Sequence, residues 1–253
     1  MDLGLKNKVA LVTGTGSQIG FGKAIATTLA KEGCKVIVSD IDLTGAQKTA
    51  AAIKALGGEA LAVKADITNE TEVQEMVNTG VARFGPIDIL VNNAGGIFNM
   101  KLFADKTAAE CDADINLNLK GPLNCIRHVV KSMLARKSGK IINVASIGAH
   151  KGVPYTTVYN ACKAGVVSMT LSLAADLGPS GINVNCVSPG LGLTNYGGGS
   201  PPKEIMEEVL NRTPARRTTT PQDIANVVVF LASDVSSDLM GQNIGVDGGT
   251  SII

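Results

Sequence analysis

Tyr159-Asn160-Ala161-Cys162-Lys163 sets a phenol and an ammonium four residues apart, on one face of any helix that carries them. An unperturbed phenol ionises near pH ~10. An ammonium beside it stabilises the phenolate and makes the phenol a workable acid or base near neutrality. Val166, Val167, Thr170, Leu171 and Ala174 continue an apolar stripe, so the pair is expected on the buried side of its helix. Thirteen residues before Tyr159, Ser146 ends the apolar run Ile141-Ile142-Asn143-Val144-Ala145 and can face the same cavity. Each feature also has a plainer explanation, in a helix merely flanked by Tyr and Lys and in a strand-end turn rich in Asn, Ser and Gly.

A second group of residues could hold a nucleotide. The run Thr13-Gly14-Thr15-Gly16-Ser17-Gln18-Ile19-Gly20-Phe21-Gly22-Lys23 follows the apolar Val9-Ala10-Leu11-Val12. Glycines at a strand-to-helix turn let the backbone approach a pyrophosphate, whose charge then sits at the helix N-terminus. Asp40 lies eighteen residues beyond Gly22, at the end of the next apolar run. Its carboxylate can accept from the adenosine ribose hydroxyls and repel a 2′-phosphate, or it can serve as a turn residue or helix cap, for which Asp42 and Thr44 are also placed. No Arg lies in the glycine turn or directly after Asp40, which favours NAD over NADP. Asn92-Asn93-Ala94-Gly95-Gly96 closes a further apolar run.

These groups need a scaffold that brings strand ends to one rim. Strands are expected at 9–12, 35–39, 60–65, 87–91, 140–144, 182–187 and 243–246, and helices at about 46–56, 70–84, 108–135, 158–177 and 224–232, with another helix between the glycine turn and Glu32. Short continuously apolar strands alternating with helices predict a doubly wound parallel α/β sheet covered on both faces, Rossmann-like, with about seven strands. Ligands of such sheets bind at the C-terminal strand edges. Residues 188–221 read as a loop-rich insert, and Gly197-Gly198-Gly199-Ser200-Pro201-Pro202 is the nearest thing to a linker. The expectation is one domain over residues 1–253 with a mobile lid at about 190–217.

Composition narrows the function classes. The chain has 253 residues, enough for a sizeable core, and 23 basic against 22 acidic residues leave a formal charge of +1. That balance argues against nucleic-acid or membrane-surface binding held by electrostatics. Charged residues are 18%, below the usual ~25%, which is compatible with subunit-covered surface. Five widely spaced Cys without a C-x-x-C pair read as reduced thiols, and two His supply no metal-ligand pattern. No apolar run is long enough to span a bilayer, and Met1-Asp2-Leu3-Gly4-Leu5-Lys6 lacks the features of a secretory signal, so the expected address is cytoplasmic.

Over nearly its whole length the chain resembles the short-chain dehydrogenase/reductase family. The carrying motifs are the glycine turn, Asn92-Asn93-Ala94-Gly95, Asn118-Leu119-Lys120-Gly121, Ser146, Tyr159 with Lys163, Ser188-Pro189-Gly190 with Thr194, and Asp247-Gly248-Gly249. The resemblance implies a catalytic set of Asn118, Ser146, Tyr159 and Lys163. Tyr159 would exchange the proton of the substrate oxygen, and Lys163 would lower its pKa and hold the nicotinamide ribose. Ser146 would hydrogen-bond the substrate oxygen, and Asn118 would support a water bridging Lys163 to solvent. It further implies cofactor contacts from Gly14, Gln18, Ile19, Gly20, Asp40, Asp66, Ile67, Asn92, Gly95, Pro189, Leu191 and Thr194. Ile97, His150 and Tyr196 would lie toward the substrate, where Val153, Tyr155, Met206 and Leu210 are further candidates.

Two departures from the family pattern stand out. Five residues separate Gly14 from Gly20, a stretch similar to the enoyl-reductase branch, although the four-residue Tyr-Lys spacing points to alcohol and ketone chemistry. Ala175 stands where carrier-protein ketoacyl reductases commonly have an Arg. The leading expectation is therefore NAD-dependent interconversion of a small-molecule secondary alcohol and its ketone, in a homotetramer. A 3-oxoacyl-thioester (carrier protein) reductase is the rival, and a non-catalytic dinucleotide-sensing regulator is the alternative from another class.

Overall fold

The computed structural model describes residues 1–192, 194 and 203–252. Seven strands, β1 (Val9–Thr13), β2 (Lys35–Asp40), β3 (Glu59–Lys64), β4 (Ile89–Asn92), β5 (Gly139–Val144), β6 (Ile182–Pro189) and β7 (Asn243–Val246), form one sheet in the order β3-β2-β1-β4-β5-β6-β7. Every pairing is parallel. The helices are α1 (Phe21–Lys31), α2 (Leu43–Ala55), α3 (Glu70–Phe84), α4 (Ala108–Ile115), α5 (Gly121–Arg136), α6 (Thr157–Leu177), α7 (Lys203–Arg212) and α8 (Pro221–Ala232).

Successive strand residues alternate between two cores, as a pleated sheet covered on both faces requires. Ala10, Val12, Val36, Val38, Ile142 and Val144 pack with Ile25 and Leu29 of α1 and with Ile224 and Val228 of α8. Val9, Leu11, Ile37, Leu90 and Ile141 face the other way, onto Met76 of α3 and Val129 and Met133 of α5. Chain order reverses between β1 and β4, and this switch point opens a crevice at the C-terminal strand edges. The register brings the ends of these strands to one rim, pairing Thr13 with Ser39, Asn92 with Asn143 and Val144 with Val187.

Three expectations are corrected. The region expected as one helix over 108–135 is α4 and α5 joined by a π-helical turn, Asn116–Lys120. Pro122 has no N–H to donate to the carbonyl of Asn118 four residues back, so the regular ladder is interrupted at that point. The insert expected as loop contains α7, whose Met206 and Leu210, four residues apart, are half-buried. Leu171 does not join the buried stripe of α6: it is 55% exposed, whereas Val166, Thr170 and Ala174 are buried. At about 100° per residue, the spacing from Lys163 through 166, 170 and 174 keeps one face and rotates Leu171 off it.

Candidate active site

The glycine turn and the segment after β4 form a single unit. Gly14 has φ +72°, and a Cβ there would stand 2.7 Å from the Ala94 Cα. Asn93 Nδ2 donates to the carbonyls of Thr13 and Gly14 at 2.9 and 3.0 Å, while the Thr13 hydroxyl accepts from Asn93 N and Ala94 N, each at 3.1 Å. Gly22, in the first turn of α1, lies against the Gly14 carbonyl, where any Cβ would overlap the oxygen. The glycines are thus required by backbone-on-backbone packing, which lays the start of α1 over the rim.

The lengthened part of the turn is closed by Gln18. Its Nε2 reaches Gly16 O at 2.9 Å, Gly45 O at 3.1 Å and Thr49 Oγ1 at 3.3 Å, and its Oε1 accepts from Lys23 Nζ at 3.0 Å. Gln18 therefore braces the turn against α2, while its neighbour Ile19 is 52% exposed. Asp40 is built into the same turn, with Oδ2 accepting from Gly16 N at 2.7 Å and Oδ1 from Asp42 N at 2.9 Å.

This corner fits a dinucleotide phosphate. The N-cap of α1, Gly20, makes no side-chain cap, and no acidic residue occupies the first turn, so the helix presents unsatisfied N–H groups to the crevice. The Ser17 hydroxyl is buried with no partner among the described residues, and it lies over Gly20. Ser17 was not among the residues the sequence singled out. A serine inside a glycine-rich run looks like ordinary turn composition, and only its orphaned oxygen distinguishes it.

Beyond the end of β5, α6 carries Tyr159 (8% exposed) and Lys163 (3% exposed) on its buried side. Lys163 Nζ donates to Val144 O at the end of β5, at 2.9 Å, and lies 5.6 Å from the centre of the Tyr159 ring. Burial out of water pushes the ammonium down from 10.5 to about 8, opposed weakly by Cys186 and Cys162. Ser146 follows β5, and its Oγ accepts from Gly148 N at 3.1 Å. Gly148 packs against Asn160 so tightly that a Cβ would overlap the Asn160 amide oxygen, which ties the Ser146 turn to the residue next to Tyr159.

Asn118 sits fully buried in the π turn. Its Oδ1 accepts from Gly96 N at 3.0 Å, and its Nδ2 donates to Gly96 O at 2.8 Å and Asp114 O at 3.0 Å. Gly95 fills the gap between Asn118 and Lys163: a Cβ there would stand 3.0 Å from both Asn118 Oδ1 and Lys163 Nζ.

The remaining expected residues distribute as follows. Asp66 follows β3, with Oδ1 accepting from Thr68 N and Oγ1, and Ile67 is buried, its carbonyl taking Asn124 Nδ2 at 3.0 Å. Asn92 turns its Nδ2 inward to Asn143 Oδ1 at 2.9 Å, leaving a buried Oδ1 without a partner among the described residues. Pro189 ends β6, Leu191 O accepts from Thr219 N at 2.9 Å, and Thr194 is half-buried. Ile97 is half-buried in the segment after Gly96. His150 is exposed and meets Asn243 Nδ2 of β7 through Nε2 at 2.6 Å, so the contact it makes is with the sheet edge. Tyr196 and the run Gly197-Gly198-Gly199-Ser200-Pro201-Pro202 lie outside the described residues.

A family model described as enoyl-(acyl carrier protein) reductase matches residues 14–251. A dehydrogenase subunit of Thauera aromatica, acting on (2S)-[(R)-hydroxy(phenyl)methyl]succinyl-CoA, is 41% identical over 99% of each chain. This chain belongs to the short-chain dehydrogenase/reductase family. A 3-oxoacyl-[acyl-carrier-protein] reductase of Staphylococcus epidermidis is a further short-chain relative, 40% identical over 96% of this chain and 98% of its own. Among solved structures, a 7α-hydroxysteroid dehydrogenase complexed with NADH and 7-oxo glycochenodeoxycholic acid superposes with a TM-score of 0.93, at 37% identity over 98% of this chain and 96% of that one. The protein is thus a short-chain oxidoreductase, of a family whose cofactor is a nicotinamide dinucleotide. Among its described residues no helix is long and apolar enough to cross a membrane.

Proposed function

We propose that this oxidoreductase interconverts a secondary alcohol and its ketone with NAD(H), Tyr159 moving the proton. The carrying observation is the buried Lys163 ammonium, anchored 2.9 Å from Val144 O and held beside the Tyr159 ring by the four-residue spacing of α6. Bound NAD supplies the hydride acceptor. In oxidation Tyr159 would take the substrate's O–H proton while the carbinol carbon gives up hydride, so that alcohol and NAD⁺ would become ketone, NADH and a proton. Ser146, at the end of β5, would hold the substrate oxygen where charge develops. Lys163 would favour the phenolate that accepts the proton and would reach the nicotinamide ribose. The Asn118 carbonyl, to which Pro122 has no N–H to donate, would hold a water that carries the proton on.

Asp40 supports NAD over NADP. A carboxylate offers about four lone-pair sites. Two are taken by Gly16 N and Asp42 N, which leaves two for the ribose hydroxyls and a negative charge against a 2′-phosphate. Asp40→Ala is expected to narrow the gap in kcat/KM between the two nicotinamides. We further assign α7 to covering the substrate, on its half-buried Met206 and Leu210, and propose a homotetramer with a cytoplasmic address, the former on the exposed Leu123, Leu134 and Leu171 of the two long helices.

A second reading, reduction of 3-oxoacyl thioesters, is favoured by the thioester names of the Thauera and Staphylococcus relatives. One experiment tests all of this: turnover of a panel of aliphatic and aryl secondary alcohols, their ketones and acetoacetyl-CoA, with each nicotinamide, by the unaltered enzyme and Tyr159→Phe. Turnover that falls by orders of magnitude in the variant, at unchanged NADH affinity, is the expected result. Equal turnover in both removes Tyr159 from the chemistry. Faster reduction of acetoacetyl-CoA than oxidation of any simple alcohol selects the thioester reading, and NADH binding with no turnover of any panel member selects a sensor.

A further inference from the structure

Lys106 and Asp114 form a salt bridge whose side chains are 2% and 0% exposed, an unusual place for two charges. Asp114 stands on α4 and Lys106 just after the 3₁₀ turn Phe103–Asp105. One carboxylate oxygen of Asp114 takes the Lys106 ammonium, and the other accepts from Phe98 N at 3.4 Å. Its carbonyl accepts from Asn118 Nδ2 at 3.0 Å, and the Cys162 thiol lies 3.8 Å from the same oxygen. Asn118 in turn clasps Gly96 through both N–H and C=O, and Gly95 is wedged against Lys163 Nζ. Asp114 therefore joins the segment after β4, the π turn and the helix bearing Tyr159 and Lys163.

A buried ion pair is about as stable as well-packed hydrocarbon of the same shape, so stability alone gives no reason for it. What it supplies that hydrocarbon does not is direction. The carboxylate fixes Lys106 at one end of the 96–106 segment and Phe98 at the other, and that segment borders the crevice beside Gly95. Breaking one partner leaves an uncompensated buried charge and frees the segment.

We propose that Asp114 and Lys106 are positioning residues for the oxidoreductase reaction, holding Asn118 and the Gly95–Phe98 backbone in register with Lys163. Neither touches the reacting atoms. The inference rests on the alcohol–ketone reading above and goes beyond it.

The test compares Lys106→Met, Asp114→Asn, Lys106→Arg and the double variant Lys106→Met/Asp114→Leu, whose side chains copy the pair's shape without its charge. Melting temperature, NADH dissociation constant and kcat on the fastest panel substrate are read for each. Both single neutral variants are expected to melt several degrees lower and to lose about ten- to hundredfold in kcat, the scale of a reacting group displaced by about an ångström. NADH affinity stays within twofold. Lys106→Arg keeps kcat within about threefold. The double variant recovers the melting temperature but not kcat, a separation that a purely structural pair would not produce. Recovery of both assigns the pair to the scaffold and overturns the proposal, as does a double variant that regains neither, or single variants with unchanged kcat. Should the single variants not fold, the double variant and Lys106→Arg decide. An unaltered enzyme that turns over nothing on the panel removes the reading beneath, and the role of the pair with it.

Discussion

Lys163→Met should make the fold more stable at pH 7 while removing turnover. Burial holds the ammonium at about 8 instead of 10.5. At about 1.36 kcal/mol per pH unit, the charged form carries a penalty of about 3 kcal/mol in the folded state. Methionine removes that penalty but leaves the Val144 carbonyl without its donor, a cost of about 1–3 kcal/mol. The net gain at pH 7 is then about 1 kcal/mol. The sign follows from proton counting. Between about 8 and 10.5 the unfolded chain holds a proton on Lys163 that the folded chain has shed, so the stability of the unaltered protein rises with pH across that window, and below it the penalty is fully present. The lost hydrogen bond contributes equally at every pH and cancels from the comparison. Urea unfolding of both proteins at pH 7 and pH 10.5, without added nucleotide, should show the stability difference swinging by about 3 kcal/mol in favour of the unaltered protein at the higher pH. A swing below about 1 kcal/mol, or one of opposite sign, would refute the desolvated ammonium.

Two further outcomes follow from backbone geometry. Gly95→Ala puts a methyl carbon 3.0 Å from both Asn118 Oδ1 and Lys163 Nζ, so kcat should fall at least tenfold with the fold retained, and steady-state kinetics within twofold of the unaltered enzyme contradict the close approach. Tyr155 is half-exposed at φ +67°, a conformation that costs a non-glycine residue about 1–2 kcal/mol. Tyr155→Gly should therefore hold or raise stability by up to about 1 kcal/mol after the extra freedom of glycine in the unfolded chain is deducted, and a loss of more than about 1 kcal/mol in thermal unfolding rules out the strain.

The sheet was legible because burial on both faces forces its strands to be continuously apolar, and runs such as Ile141-Ile142-Asn143-Val144 have no other good explanation. Strand ends were less certain: β3 begins at Glu59 rather than Ala60, since backbone pairing with Lys35 sets the boundary and side-chain polarity does not. The Tyr159 and Lys163 face was readable from helical periodicity alone. The π turn was not, because one extra residue in a helix barely disturbs an apolar pattern, although Pro122 was a usable sign of a broken ladder. Nor could Lys106 and Asp114 be recognised as partners. They are eight residues apart across a turn, in a stretch whose charges look like ordinary solvated surface, and only three-dimensional packing removes their water. Gln18 was expected at the cofactor, yet its amide is largely occupied in bracing the turn, a contact with Gly45 and Thr49 that no local spacing encodes.

The link between Asp40 and Gly16 has a consequence for redesign. The carboxylate that would discriminate between nicotinamides is also the strut on which the glycine turn rests, at 2.7 Å. Exchanging it for a smaller or basic side chain alters both jobs together, so any gain in tolerance for NADP arrives with a loosened grip on either dinucleotide. A switch of preference in this scaffold therefore has to supply a new acceptor for the Gly16 amide, and a library randomised at position 40 alone should yield permissive enzymes rather than inverted ones.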